Sequence, residues 1–198
     1  AVEVARKGWG IRRFITPASV RNALAVDAAL GCSTNTVLHV MAIAKEAEVE
    51  LSLETFNEVA DKTPNLVKVS PSGPNHMEDL YRAGGVMAVY KRLAEAGLVD
   101  GSVPTVAGVD LATQYDAAVI RDDEVIRPLA RPYGKTGGLA ILFGNLAPGG
   151  AVVKESAVLP QMLVHKGPAL VFDDEASLMT AIEADRVKPG CVVVVRYV

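Results

Sequence analysis

Thr16-Pro17-Ala18-Ser19-Val20-Arg21-Asn22-Ala23-Leu24-Ala25-Val26-Asp27-Ala28-Ala29-Leu30-Gly31 carries its own punctuation. Thr16 is a helix N-cap residue, Pro17 is preset for the first helical position, and Gly31 tolerates the left-handed backbone that ends a helix. The stretch therefore predicts a helix from Ala18 to about Leu30. Val20, Ala23, Leu24, Val26, Ala28 and Leu30 surround its axis, and only Arg21, Asn22 and Asp27 interrupt them strongly. A helix apolar on nearly every side belongs in an interior. The next stretch, about Asn35 to Glu46, repeats the pattern with Val37, Leu38, Val40, Met41 and Ile43. Two such helices in succession call for protein all round them.

Outward from this pair the helices become ordinary amphipathic ones. Ser52 opens a helix with Leu53, Phe56 and Val59 inward, stopped by Pro64; Gly85 precedes another with Val86, Val89, Tyr90 and Leu93 at helical spacing, stopped by Gly97. Leu66 to Val69 reads as a short strand before the loop Pro71-Ser72-Gly73-Pro74. Near Ile120 the pattern turns β-rich. Leu139 to Phe143, Ala151 to Lys154, Ala169 to Phe172 and Cys191 to Tyr197 are short apolar runs separated by Gly and Pro turns, and one helix intervenes, Glu175 to Ala184, with Leu178 and Ile182 inward. A domain boundary is expected between about Tyr115 and Pro128.

The chain has 198 residues, half of them hydrophobic, enough for one large domain or two small ones with cores. Its net charge of -3 provides no electrostatic footprint for nucleic acid, and no apolar run is long enough to cross a bilayer. A soluble, cytoplasmic protein is expected. Cys32 and Cys191 are far apart and show no metal-ligand spacing, so they read as free buried thiols rather than a disulfide or zinc site. The chain starts at Ala1 without a Met, and its final run, Cys191 to Val198, stops inside a β-branched stretch. The expectation is a segment of a longer polypeptide, one that self-associates in isolation through its uncovered apolar surfaces.

Several motifs fail on inspection. Gly134-Lys135-Thr136 resembles the end of a phosphate loop, but Leu129 stands where its first glycine is required; Gly8-Trp9-Gly10 resembles a dinucleotide fingerprint, but Arg13 stands at the third glycine. The three histidines, His39, His76 and His165, are scattered without metal spacing. Two segments keep their interest. Gly31-Cys32-Ser33-Thr34-Asn35-Thr36 presents hydroxyl and amide groups at a helix N-terminus, where Ser33 or Thr34 could simply cap the helix or the free N–H groups could receive a carboxylate or phosphate. Asn75-His76-Met77-Glu78-Asp79-Leu80 opens another helix. With Asn75 as N-cap, Glu78 falls at the third position as in a capping box, and the alternative is that Glu78 and Asp79, with His76, contact a metal or polar substrate.

Taken together, Ala29-Leu30-Gly31-Cys32-Ser33-Thr34-Asn35-Thr36-Val37-Leu38-His39, His76-Met77-Glu78-Asp79-Leu80 with Arg82-Ala83-Gly84-Gly85-Val86, Gly137-Gly138-Leu139-Ala140-Ile141-Leu142, and Gly144-Asn145-Leu146-Ala147-Pro148 resemble the dihydroxy-acid dehydratase family, which includes the sugar-acid dehydratases. The resemblance runs in family order over essentially the whole chain. It implies a hydro-lyase that removes water from a 2,3-dihydroxy acid to give a 2-keto acid in branched-chain amino-acid synthesis, using an iron–sulfur cluster and magnesium. It further implies an α/β fold: residues 1–120 would be the end of an N-terminal α/β domain with buried helices, and residues 121–198 the unfinished start of a β-barrel-like domain, with the active site between them.

The resemblance also shows what is missing. The family's cluster cysteines, magnesium ligands and serine base lie in segments without a counterpart here, so no catalytic or metal residue is assigned and neither cofactor is expected to bind this segment alone. Ser33, Thr34, Asn35, Glu78 and Asp79 are the candidates for lining the active site. A small dihydroxy acid is the expected ligand and a homo-oligomer the expected assembly of the parent, with no nucleic-acid or membrane partner; the segment alone is expected to be inactive. The competing readings are a sugar-acid (aldonate or phosphogluconate) dehydratase, and a non-catalytic binding or oligomerisation module built on the same core.

Overall fold

The computed structural model describes residues 2–197; Ala1, and Val198 at the end of the expected last strand, lie outside the described residues. Packing divides the chain into two compact units, residues 1–157 and 158–198.

The first unit is built round the helix whose caps the sequence announces. This helix, α2 (Pro17–Leu30), follows a short α1 (Val2–Arg6). Thr16 Oγ1 accepts the Ser19 N–H at 3.2 Å, Ser19 Oγ accepts the Thr16 N–H in return at 2.8 Å, and Gly31 ends the helix at φ 59°. Around α2 come α3 (Asn35–Glu46), α4 (Leu53–Ala60), α5 (Met77–Ala83), α6 (Gly85–Glu95), α7 (Leu111–Asp116) and a hairpin of β1 (Ala140–Leu142) and β2 (Ala151–Val153). α2 packs on α3, α4 and α6, while α4 also packs on β1. Leu24, Phe56, Leu66, Leu80, Leu93 and Ile126 meet in one core cluster. Each such side chain removed from water contributes about 1.5–3 kcal/mol.

Two asparagines join these layers by acting as strand neighbours. The Asn57 amide on α4 donates to the Ile141 carbonyl and accepts the Ile141 N–H, both at 2.8 Å, which satisfies the free edge of β1. Asn22, buried on α2, does the same for the backbone of Asp100, again with both bonds at 2.8 Å. Buried polar backbone paired in this way avoids the cost of an unmade bond.

The second unit holds β3 (Ala169–Phe172), α8 (Glu175–Glu183) and β4 (Val192–Val195). β3 and β4 run parallel with Ala169 opposite Val192, and α8 bridges them. Asp174 caps α8 by accepting the Ser177 N–H at 2.7 Å. Both units have the mixed α/β character expected. Among the described residues each sheet has two strands and no closed barrel forms. Among the described residues no helix is long and apolar enough to cross a membrane.

Four local expectations are corrected. Leu66 to Val69 is no strand: Leu66 and Val67 are buried, and both N–H groups bond the carbonyl of Ala29 at 2.8 and 3.1 Å, so the segment is an extended strut against the end of α2. α3 buries only Val37 and Ala44, because among the described residues no element covers its far side. Val86 on α6 faces outward. On α8 Leu178 is half-buried as expected, but the buried residue is Ala181 and its neighbour Ile182 is exposed, so the inward face is turned one position from Ile182.

Candidate functional site

The turn Gly31–Thr36 is shaped from below. Gly137 and Gly138 run along the end of α2 and α4, their N–H groups bonding the carbonyls of Ala60 at 2.8 Å and Ala28 at 3.1 Å. A Cβ on Gly137 would stand 2.7 Å from that of Ala28, and one on Gly138 would collide with the Cα of Gly31. The glycine pair is therefore required by close backbone approach. It brings two of the recognisable segments, Gly31–Thr36 and Gly137–Leu142, into contact. Asn65 fills the remaining side and donates to the carbonyls of Ala29 at 3.0 Å and Val67 at 3.2 Å.

On this platform Ser33 and Asn35 are exposed and Thr34 is half-buried. Ser33 Oγ accepts the Asn35 N–H at 3.3 Å. Thr34 occupies the N-cap position with helical backbone angles and its side chain caps nothing, so of the two candidate capping hydroxyls only that of Ser33 is engaged. The N–H groups that open α3 are taken within the turn, that of Asn35 by Ser33 Oγ and those of Thr36 and Val37 by the carbonyls of Ser33 at 2.9 Å and Thr34 at 3.2 Å, so what the turn offers a ligand is the exposed side chains of Ser33 and Asn35 and the uncommitted hydroxyl of Thr34 at the positive end of a helix of 12 residues.

The second segment starts one residue later than the sequence predicts. His76, not Asn75, is the N-cap of α5, and Asp79, not Glu78, stands at the third position, where its Oδ2 accepts the His76 N–H at 2.7 Å. The physical reason lies in Asn75, whose side chain is already committed to the strut, donating to the Lys68 carbonyl at 3.2 Å while its own carbonyl accepts the Ser70 N–H at 2.7 Å. Asp79 is thereby explained as a structural residue. Glu78 is exposed and makes no hydrogen bond or ion pair among the described residues.

The strut from Asn65 to Ser70 connects the two segments, its start bonded to the end of α2 and its end to Asn75. At the roughly 3.3–3.6 Å per residue of extended chain, the strut itself spans no more than about 18 Å. No hydrogen bond or ion pair joins Ser33, Thr34 or Asn35 to Glu78 or Asp79 among the described residues. Sequence reasoning missed two groups beneath the turn, Asp27 and Lys154. Asp27 is a carboxyl in an otherwise apolar helix, and that oddity was the available signal. Burial raises its pKa, with Thr36, Cys32 and Lys154 opposing. Burial, and then the negative charge of Asp27, push the Cys32 thiol up to about 12.

The chain belongs to the dihydroxy-acid/6-phosphogluconate dehydratase family. Residues 1–114 match the family's N-terminal model and residues 124–198 its C-terminal model. It is 57% identical to a dihydroxy-acid dehydratase of Carboxydothermus hydrogenoformans over 186 residues, which is 94% of this chain and 34% of that protein. It is 50% identical to a dihydroxy-acid dehydratase of Acetivibrio thermocellus over 99% of the chain and 35% of that protein, and 53% identical to one of Moorella thermoacetica over 93% and 33%. The chain spans about a third of the length of the curated relatives it matches.

Proposed function

We propose that the chain is a segment of a dihydroxy-acid dehydratase, a hydro-lyase of branched-chain amino-acid synthesis, and that it is inactive by itself. The observation that carries this is the 57% identity to a dihydroxy-acid dehydratase across 94% of the chain. In the reaction a base takes the proton from C2 of a 2,3-dihydroxy acid and the C3 hydroxyl leaves as water. The resulting enol becomes a 2-keto acid. Within this scheme Ser33, Thr34 and Asn35 receive the substrate acid at the N-terminus of α3, and Glu78 serves as a further polar contact. Asp79 supports Glu78 by fixing the start of α5.

An iron–sulfur cluster and magnesium supply Lewis-acid chemistry in the family, and the residues of this chain do not fit either group. Cluster ligation takes three or four suitably placed ligands, as a rule cysteines, whereas this chain has two cysteines, Cys32 and Cys191, far apart in sequence. No cluster of three or more His, Cys, Asp or Glu side chains is assembled among the described residues. Ligands for both groups are assigned to the remaining two-thirds of the parent.

The parent's first domain ends between about Tyr115 and Pro128, so that residues 1–120 close an α/β domain and residues 121–198 begin the barrel-like one. The interval between the two family models, from residue 114 to 124, supports this placement. A cytoplasmic homo-oligomer suits a protein with two free thiols and with apolar side chains such as Leu38 and Ile43 at its surface.

The test is the full-length enzyme containing this sequence, purified without oxygen and assayed for keto-acid formation. A branched 2,3-dihydroxy acid should be turned over with kcat/KM at least 100-fold above that for gluconate. Preference for the aldonate would overturn the reading in favour of a sugar-acid dehydratase.

A further inference from the structure

The joint between α5 and α6 is closed by a segment from beyond α7. Gly84 takes φ 132°, and a Cβ there would stand 2.5 Å from the Val119 carbonyl oxygen, so the later segment crosses the joint with no room for a side chain beneath it. The Arg121 N–H donates to the Ala83 carbonyl at 2.8 Å, while Lys91 on α6 donates to the carbonyls of Asp116 at 2.9 Å and Ala118 at 2.8 Å. These bonds bring Arg121 to Arg82, and both side chains line one open cleft of about 530 Å³ together with Tyr81, Gly85, Val86 and Met87. No acidic residue belongs to that lining. Among the described residues neither guanidinium has a hydrogen bond or ion pair, although acids stand near both in sequence. Glu78, four residues before Arg82 on α5, makes none; Asp122 is committed to the N–H groups of Glu124 at 2.8 Å and Val125 at 3.2 Å, and Asp123 pairs with Arg92. The start of α6, whose N-cap Gly84 has no side chain to offer, adds its positive end to the same place.

We propose that this cleft binds a small aliphatic carboxylate: the guanidinium groups of Arg82 and Arg121 take the carboxylate, and Val86, Met87 and the Tyr81 ring cover the hydrocarbon part. The lining carries two positive charges and no negative one, and planar guanidinium forks match the two oxygens of a carboxylate. A bare inorganic anion satisfies the arginines but leaves the apolar wall without a partner, which is what selects an organic acid. None of Ser33, Thr34, Asn35, Glu78 and Asp79 lines the cleft, so the site is additional to the substrate contacts given under Proposed function and does not depend on the reaction.

Calorimetric titration of the full-length enzyme containing this sequence, with isobutyrate and then with inorganic phosphate as probes and no substrate present, is the test. Isobutyrate should bind saturably with a Kd of about 5 mM or tighter. Arg82→Gln and Arg121→Gln, both at exposed positions, should each weaken it about tenfold, the loss expected when one charge-assisted pair is removed, and Val86→Asn about threefold. Arg131→Gln, whose partner Glu124 lies outside the cleft, should leave the affinity at the wild-type value. Phosphate should respond to both arginine substitutions but bind more weakly than isobutyrate. Melting temperatures equal to that of the wild type show that the variants are folded. No isobutyrate binding up to about 50 mM, an affinity unchanged in either arginine variant, or phosphate binding tighter than isobutyrate would overturn the proposal. Turnover plays no part in these titrations, so a failure of the dehydratase reading would appear in the keto-acid assay alone.

Discussion

α2 and α3 are neighbours of similar composition with opposite fates. α2 has α3, α4 and α6 against it and buries eight of its residues, including Asn22 and Asp27. α3 buries two, and Leu38 and Ile43 stand 69% and 50% exposed. All-round apolarity specifies a demand for partners; the partners themselves come from elsewhere in the chain. α2 finds them because the strut at Leu66–Val67 and the glycine pair Gly137–Gly138 close on its C-terminal end. α3 buries only Val37 and Ala44, with Val40 and Met41 packed half-buried against the core.

The contrast can be broken most forcefully by paired truncations. Leu24→Ala, at a site 2% exposed, should lower stability by about 2–5 kcal/mol. Leu38→Ala should change it by less than about 0.5 kcal/mol. Urea unfolding of the two variants checks the pair, and equal losses would mean that α3 is covered after all. Next in size is the backbone slot. Gly138→Ala forces a Cβ against Gly31 and should cost about 1–3 kcal/mol, whereas Gly144→Ala, with nothing within 4 Å of the added atom, should be tolerated; melting temperatures distinguish them. The smallest contrast lies at the caps. Thr16→Ala removes a reciprocal capping box and should cost about 1 kcal/mol. Thr34→Ala, whose hydroxyl caps nothing, should stay within about 0.5 kcal/mol, again by urea unfolding.

Where local chemistry decides an element, the sequence is readable. Thr16, Pro17 and Gly31 bound α2 as expected, Asp174 starts α8, and β1 to β4 fall within the four β-rich runs. Where a distant partner decides, it is not. Leu66 and Val67 have strand-like side chains, but their N–H groups are taken by one helix-terminal carbonyl, which no period in the sequence encodes. The start of α5 moves by one residue because the Asn75 side chain is engaged with Lys68. Asp27 looked like a polar interruption of a buried helix, and only the fold places Cys32, Thr36 and Lys154 against it. The candidate site divides in the same way. Ser33, Thr34 and Asn35 are legible as a polar helix start, while the glycine pair beneath them depends on the tertiary arrangement.

The shift in the capping register also sharpens the role of Glu78. As third residue of a capping box it would need no function, but Asp79 fills that position and Glu78 is left exposed and unengaged among the described residues. Glu78→Gln in the full-length enzyme is therefore the most direct measurement of whether these segments face substrate. The account predicts a fall in kcat/KM of tenfold or more, equivalent to about 1.4 kcal/mol of lost transition-state stabilisation, with the melting temperature unchanged. Wild-type kinetics in the folded variant would contradict it.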